Sequence, residues 1–253
     1  QQTSVNRSTT TKIADVLAQQ PAEYQSKYLA VMKELEGFSS EDFTVLLQGL
    51  GAPGANNAPR EFATSSYAFY VMQPGKEKLR ETYVQGLLTA LDKVNDKYNK
   101  AYVLETLKFC AKNESISKIA TYLQDDYFTE KAARILAAIG TVEAAQALNT
   151  ALKGNVPEKV ATSIVTALGD LKSKEAEERI IALLGQYSSS PNFVYSALTS
   201  LSKIGGLASY DVFVKHAEGV NLGFDKTNAS GLAVDYANTL FKNNNKDLAY
   251  KLA

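Results

Sequence analysis

The 253-residue sequence predicts an all-α chain built as a solenoid of stacked helix pairs. Three observations carry that expectation. Apolar residues recur at helical spacing, and no segment alternates in the manner of a strand. Similar amphipathic segments, each running to a glycine, return along the C-terminal half. Each of these is followed by a short turn and a second amphipathic segment.

The polar start, 1–11, has no apolar face to pack and is expected to be flexible. Residues 12–95 read as irregular helices continuous with the array that follows. A short helix is expected at 13–19. The next, at 22–35, carries Tyr24, Tyr28, Val31, Met32 and Leu35 at helical spacing, the mark of a core stripe. Ser39 and Asp42 stand at capping-box spacing ahead of a helix that runs to Leu50. From Gly51 to Pro59 the chain is dense in glycine, proline and asparagine, so a loop is expected. A helix over 60–72 is broken by Pro74 and Gly75, and another follows over 77–94. Tyr67, Phe69 and Tyr70 crowd too closely to share one helix face, so one of Tyr67 and Tyr70 is expected at the surface. Most of the fourteen tyrosines are expected to be structural.

Residues 96–253 read as five helix pairs with an elastic period of roughly thirty residues. The clearest first helices are 131–140 and 159–169, with a third ending at Gly205. Glycine takes the left-handed conformation of a helix stop without steric cost, so Gly140, Gly169 and Gly205 are expected to end their helices. Thr141 is set to cap a second helix over 141–152, where Glu143 meets the positive end of the helix dipole. Further second helices are expected at 174–184, after Ser173, and at 207–217. First helices open on Thr129-Glu130, Pro157-Glu158 and Ser190-Pro191, where proline suits the first turn. Working outward, 98–110 and 116–123 form a pair with Cys110-Ala111 in place of the glycine, and 229–241 with 247–252 form the last. A single pair of this length cannot bury its own apolar face, so leucines such as Leu136 and Leu168 are expected to face a stack.

Twenty-seven basic residues balance twenty-seven acidic ones, and no basic run stands out. Nucleic-acid binding draws most of its non-specific affinity from a basic excess, so no nucleic-acid partner is expected. No apolar run approaches the roughly 18 residues of a membrane-spanning helix, so no span is expected. The single cysteine, Cys110, lies in an apolar helical pattern and reads as a buried small hydrophobe. The single histidine, His216, lies near a helix end, where its ring suits terminal carbonyls. Asp125-Asp126 and the Glu175, Glu177, Glu178 group read as dipole-favoured or solvated carboxylates. The sequence holds no phosphate-binding glycine loop, zinc-protease motif, nucleophile elbow or calcium loop. Catalytic residues, metal ligands and cofactors are therefore all expected to be none.

The glycine-stopped pairs around Gly140, Gly169 and Gly205 resemble short HEAT repeats of the kind also found in phycobilisome lyases. The resemblance implies a right-handed α-α superhelix of the HEAT/ARM-like kind and no chromophore chemistry. Leu50-Gly51-Ala52-Pro53-Gly54 and Tyr70-Val71-Met72-Gln73-Pro74-Gly75-Lys76-Glu77 resemble the N-terminal helical region of a group of Bacteroidetes proteins. Members of that group often carry signal peptides and continue into a jelly-roll domain of the 3-keto-disaccharide hydrolase type. Together with the start at Gln1 without Met, this implies a periplasmic or secreted module, with a cytoplasmic location as the alternative.

The leading expectation is thus a non-catalytic scaffold that binds a protein or glycan partner, as part of a larger glycan-related protein. By resemblance to other solenoids, the second helices line a concave side. Their outward positions include Lys118, Tyr122, Gln146, Asn149, Glu178, Arg179, Asp211 and Lys215, a mixture of signs that suits protein or glycan better than phosphate. Two alternatives remain. One is an intramolecular spacer that docks an attached C-terminal hydrolase domain. The other is a HEAT-like DNA glycosylase, which the charge balance and missing Trp oppose.

Overall fold

Fifteen α-helices, three short 3-10 turns and no strand make up the described part of the protein, residues 6–252 of a computed structural model. The chain divides into two compact units, Gln1–Ser115 and Ile116–Ala253. Part of the polar start expected to be flexible, 1–5, lies outside the described residues. The rest does not behave as expected. Ser8 accepts a hydrogen bond from the Thr11 amide and starts helix α1 (Thr9–Leu17), which buries Ile13 and Val16. An N-cap satisfies amides that the first turn leaves without partners, so a helix can begin inside a wholly polar segment.

The first unit continues with α2 (Gln25–Glu36), α3 (Ser40–Gln48), α4 (Ala58–Tyr70), α5 (Glu77–Lys93) and α6 (Lys97–Cys110). Helices α1, α3 and α5 pack in succession, and so do α2, α4 and α6, which makes two layers. Helix α6, expected to open the repeat array, packs on α4 and α5 within this unit. Between the layers lies an aromatic cluster: the Phe43 ring centroid is 4.7 Å from that of Tyr83 and 5.2 Å from that of Tyr67. The Tyr83 hydroxyl donates to the Thr64 carbonyl at 2.6 Å, which satisfies the one polar group that its burial would otherwise strand. In the 22–35 stripe, Val31, Met32 and Leu35 are core, but Tyr24 is exposed because it precedes the helix as its N-cap residue. Neither Tyr67 nor Tyr70 is the exposed aromatic of its segment. Tyr67 is buried, Tyr70 is half-buried with its hydroxyl on Glu36, and Phe69 faces outward.

The second unit holds α7 (Ile116–Ala120), α8 (Thr129–Ile139), α9 (Val142–Ala151), α10 (Glu158–Asp170), α11 (Glu177–Gln186), α12 (Pro191–Ile204), α13 (Tyr210–Gly219), α14 (Ala229–Lys242) and α15 (Lys246–Leu252). Helices α8, α10, α12 and α14 pack in succession as one layer. The others flank it: α7 and α9 lie on α8, α9 also on α10, α11 on α12, and α13 on α14. Leu136 and Leu168 are fully buried in this core. Thr141 and Ser190 cap α9 and α12 through the Ala144 and Phe193 amides.

Two of the three expected glycine stops hold. Gly140 and Gly205 end α8 and α12 in the left-handed conformation, with φ of 74° and 65°. Gly169 does not; it is a buried residue inside α10. The left-handed residue is Lys172, at φ 51°, and the Ser173 amide reaches back to the Leu168 carbonyl to close the end of the helix. Gly169 serves close packing instead. A Cβ there would lie 2.4 Å from Ser200 Oγ and 2.6 Å from Ser200 Cα, so the bare backbone lets α10 and α12 meet.

Candidate binding surface

Helices α9 and α11, with the 3-10 turn Lys174–Ala176 that leads into α11, enclose a groove of about 520 Å³ on the second unit. Gln146, Asn149, Thr150 and Lys153 line one side, and Glu175 and Arg179 the other. Gln146, Asn149, Thr150 and Lys153 recur at intervals of three, four and seven on α9 and just beyond it, so they share one helix face. The two sides are tied below the opening. Asn149 Nδ2 donates to Ser173 Oγ at 3.1 Å. Arg179 donates through Nε to the Leu152 carbonyl at 2.9 Å and through Nη2 to the Gly154 carbonyl at 2.5 Å. Those carbonyls lie just past the end of α9, so the guanidinium both caps that helix and fixes the wall of the groove.

Three of the eight residues expected on a binding face, Gln146, Asn149 and Arg179, therefore meet in one groove. The other five lie elsewhere. Lys118 is half-buried on α7, and Tyr122 is half-buried with its ring edge-on to Phe128 at 5.5 Å. Glu178 is exposed on α11, and Asp211 and Lys215 are exposed on α13. Thr150 and Lys153 went unnoticed in the sequence, although the three-, four- and seven-residue spacing from Gln146 carried the signal, and Glu175 was read there only as a dipole-favoured or solvated carboxylate.

The residues with reactive side chains are engaged elsewhere. Cys110 is buried, and burial pushes its thiol up to about 12, so it stays protonated at neutral pH. His216 Nδ1 lies 2.8 Å from the carbonyl of Val212, one turn earlier on α13. Asp125 accepts from the Tyr127 and Phe128 amides and shapes the turn before α8. Glu177 accepts from both the amide and the hydroxyl of Ser209. Among the described residues, no group of three or more His, Cys, Asp or Glu side chains is arranged to hold a metal ion, and no helix is long and apolar enough to cross a membrane.

A second groove, of about 510 Å³, lies on the first unit between the loop after α3 and the first turns of α4 and α6. Side-chain amides hold that loop. Asn57 pairs with both the amide and the carbonyl of Gly51, and Asn99 Nδ2 reaches the Leu50 and Gly51 carbonyls. The sequence marked 51–59 as a loop and placed Asn99 in the helix expected over 98–110, without linking the two.

No protein-family model matches the chain, and no curated protein matches its sequence at a significant level.

Proposed function

We propose that the chain is a non-catalytic helical-repeat scaffold, a HEAT-like solenoid that binds a protein or glycan partner through the groove between α9 and α11. The packing order is the observation that carries this reading. In each unit every second helix packs on the next, as stacked helix pairs do when no pair can bury its own apolar face. The groove adds a built surface of mixed sign: Lys153 and Glu175 stand exposed on opposite sides over the Asn149 and Arg179 ties. Such a surface suits a polar, uncharged or mixed-charge partner better than a phosphate backbone. The resemblance of the 50–54 and 70–77 segments favours an extracytoplasmic module of a larger glycan-related protein, and the attached part then becomes a further candidate partner.

The test is a combined variant, Gln146→Ala with Lys153→Glu and Glu175→Lys, screened beside the wild type on a glycan array and in pulldowns. None of these three side chains supports the fold, so the melting curve should not move while partner retention falls about tenfold or more. Retention equal to wild type would sink the assignment of this groove.

A further inference from the structure

Among the side chains withdrawn from solvent on the wall of the first unit's groove, the unspent hydrogen-bonding capacity is of one kind. Glu61, in the first turn of α4, is half-buried on its wall, and its carboxylate has no hydrogen bond or ion pair among the described residues. That sets it apart from the other carboxylates withdrawn from solvent. Asp42 holds Lys12, Glu36 holds Lys33 and Lys76, and Glu177 holds Ser209. A helix dipole favours a carboxylate in a first turn, which accounts for Glu61 by itself. It does not account for Asn99, which reaches the same groove from α6. Asn99 is 6% exposed, and both of its amide hydrogens are spent on the Leu50 and Gly51 carbonyls. This leaves Oδ1 as an acceptor that receives no hydrogen bond from the described residues, on a side chain that lines the groove. At the rim, the Tyr98 ring is 54% exposed and already carries a cation, with Lys97 Nζ 5.1 Å from its centroid.

The unmet demand of these two withdrawn groups is therefore for donors and, at Glu61, for positive charge; the exposed Asn56 amide stays with water. A neutral sugar could donate hydroxyls to Glu61 but would bring no charge to match it. A guanidinium brings five N–H donors in a plane, and an ammonium brings three. We propose that this groove binds an alkyl guanidinium or ammonium group, with Glu61 as its counter-charge, Asn99 Oδ1 as a second acceptor and the Tyr98 ring at its rim. The site is separate from the groove between α9 and α11, so either assignment can fail without the other.

The test is a titration of the full chain, followed by amide chemical shifts, with two cationic probes. Agmatine represents a free small molecule, and the blocked tripeptide acetyl-Gly-Arg-Gly-amide represents a partner's side chain. The matching tripeptide with citrulline in place of arginine keeps the shape and removes the charge. Both cationic probes should shift the amides of Asn56, Asn57 and Tyr98 at millimolar concentration, and added salt should weaken the effect. Glu61→Gln should weaken binding about tenfold, in line with the loss of a charged hydrogen bond, and lower the melting temperature only by the small loss of the helix-dipole interaction. Tighter binding of the tripeptide than of agmatine assigns the cation to a partner chain, and the reverse order assigns it to a free amine. Equal binding by Glu61→Gln, equal binding of the citrulline peptide, or no shift with either cation would overturn the proposal.

Discussion

Asp42 is buried at the start of α3, and its carboxylate does two jobs at once. Oδ2 accepts from the Ser39 amide at 2.8 Å to close the capping box, and also from Lys12 Nζ at 2.8 Å. Oδ1 accepts from the Thr9 hydroxyl at 2.5 Å. Burial alone would raise this carboxyl, but the bonds from Lys12, Thr9 and Ser39 outweigh it and hold it down at about 2, against an ordinary 3.8. An unfolded chain takes up the proton first. The stabilisation is therefore full above the ordinary value and is lost as pH falls towards 2. Asp42→Asn should lower stability near neutral pH by about 2 kcal/mol, and the gap from wild type should close in acid. Urea midpoints across that range provide the check, and a gap independent of pH would contradict the account. The capping box was legible in the sequence because Ser39 and Asp42 are three residues apart. Lys12 and Thr9 were not, because they come from α1, 30 and 33 residues earlier.

At the scale of the element, glycines of the same chain have opposite meanings. Gly140 and Gly205 stop helices, whereas Gly169 and Gly86 sit inside them where a neighbouring helix comes close. At Gly86 of α5, a Cβ would stand 2.7 Å from both Phe43 Cβ and the Ser40 carbonyl of α3. Alanine normally improves a helix interior by about 0.5–1 kcal/mol over glycine. Gly185, in α11 with nothing near its missing side chain, should follow that rule, so Gly185→Ala should raise the melting temperature. Gly169→Ala should reverse the sign and cost about 1–3 kcal/mol, because Ser200 meets the new methyl with backbone as well as side chain. Thermal melts of the two variants side by side test both statements. A rise in both would mean that α10 and α12 separate readily. The sequence placed Gly86 inside the helix expected over 77–94, but it could not sort Gly169 from Gly140 and Gly205, since each of these three follows an amphipathic run. The difference lies in whether another helix passes within contact distance.

At the scale of the whole molecule, stability rests on the faces between successive helices. Leu136 of α8 and Leu168 of α10 are fully buried in the second unit. Leu168→Ala should cost about 2–5 kcal/mol in urea unfolding, through lost transfer energy and the cavity left behind. A loss below about 1 kcal/mol would mean that the core collapses around the gap. The sequence by itself determined that the chain is helical, where most helices begin, and which apolar residues lie inside. Those features depend on caps and a period of about 3.6 residues, and both are settled within a turn or two of chain. It also marked Gln146, Asn149 and Arg179 as outward residues of second helices. Only the tertiary structure decided that these three share one groove while Lys118, Tyr122, Glu178, Asp211 and Lys215 do not. The partners that build the groove walls, Asn149 with Ser173 and Arg179 with Gly154, lie 24 and 25 residues apart. The same holds for the acceptor-lined groove of the first unit, where Asn99 meets Gly51 across 48 residues. A local pattern sets which way a side chain faces on its own helix. Which neighbour it faces depends on how helices pack, and that is a property of the assembled layers.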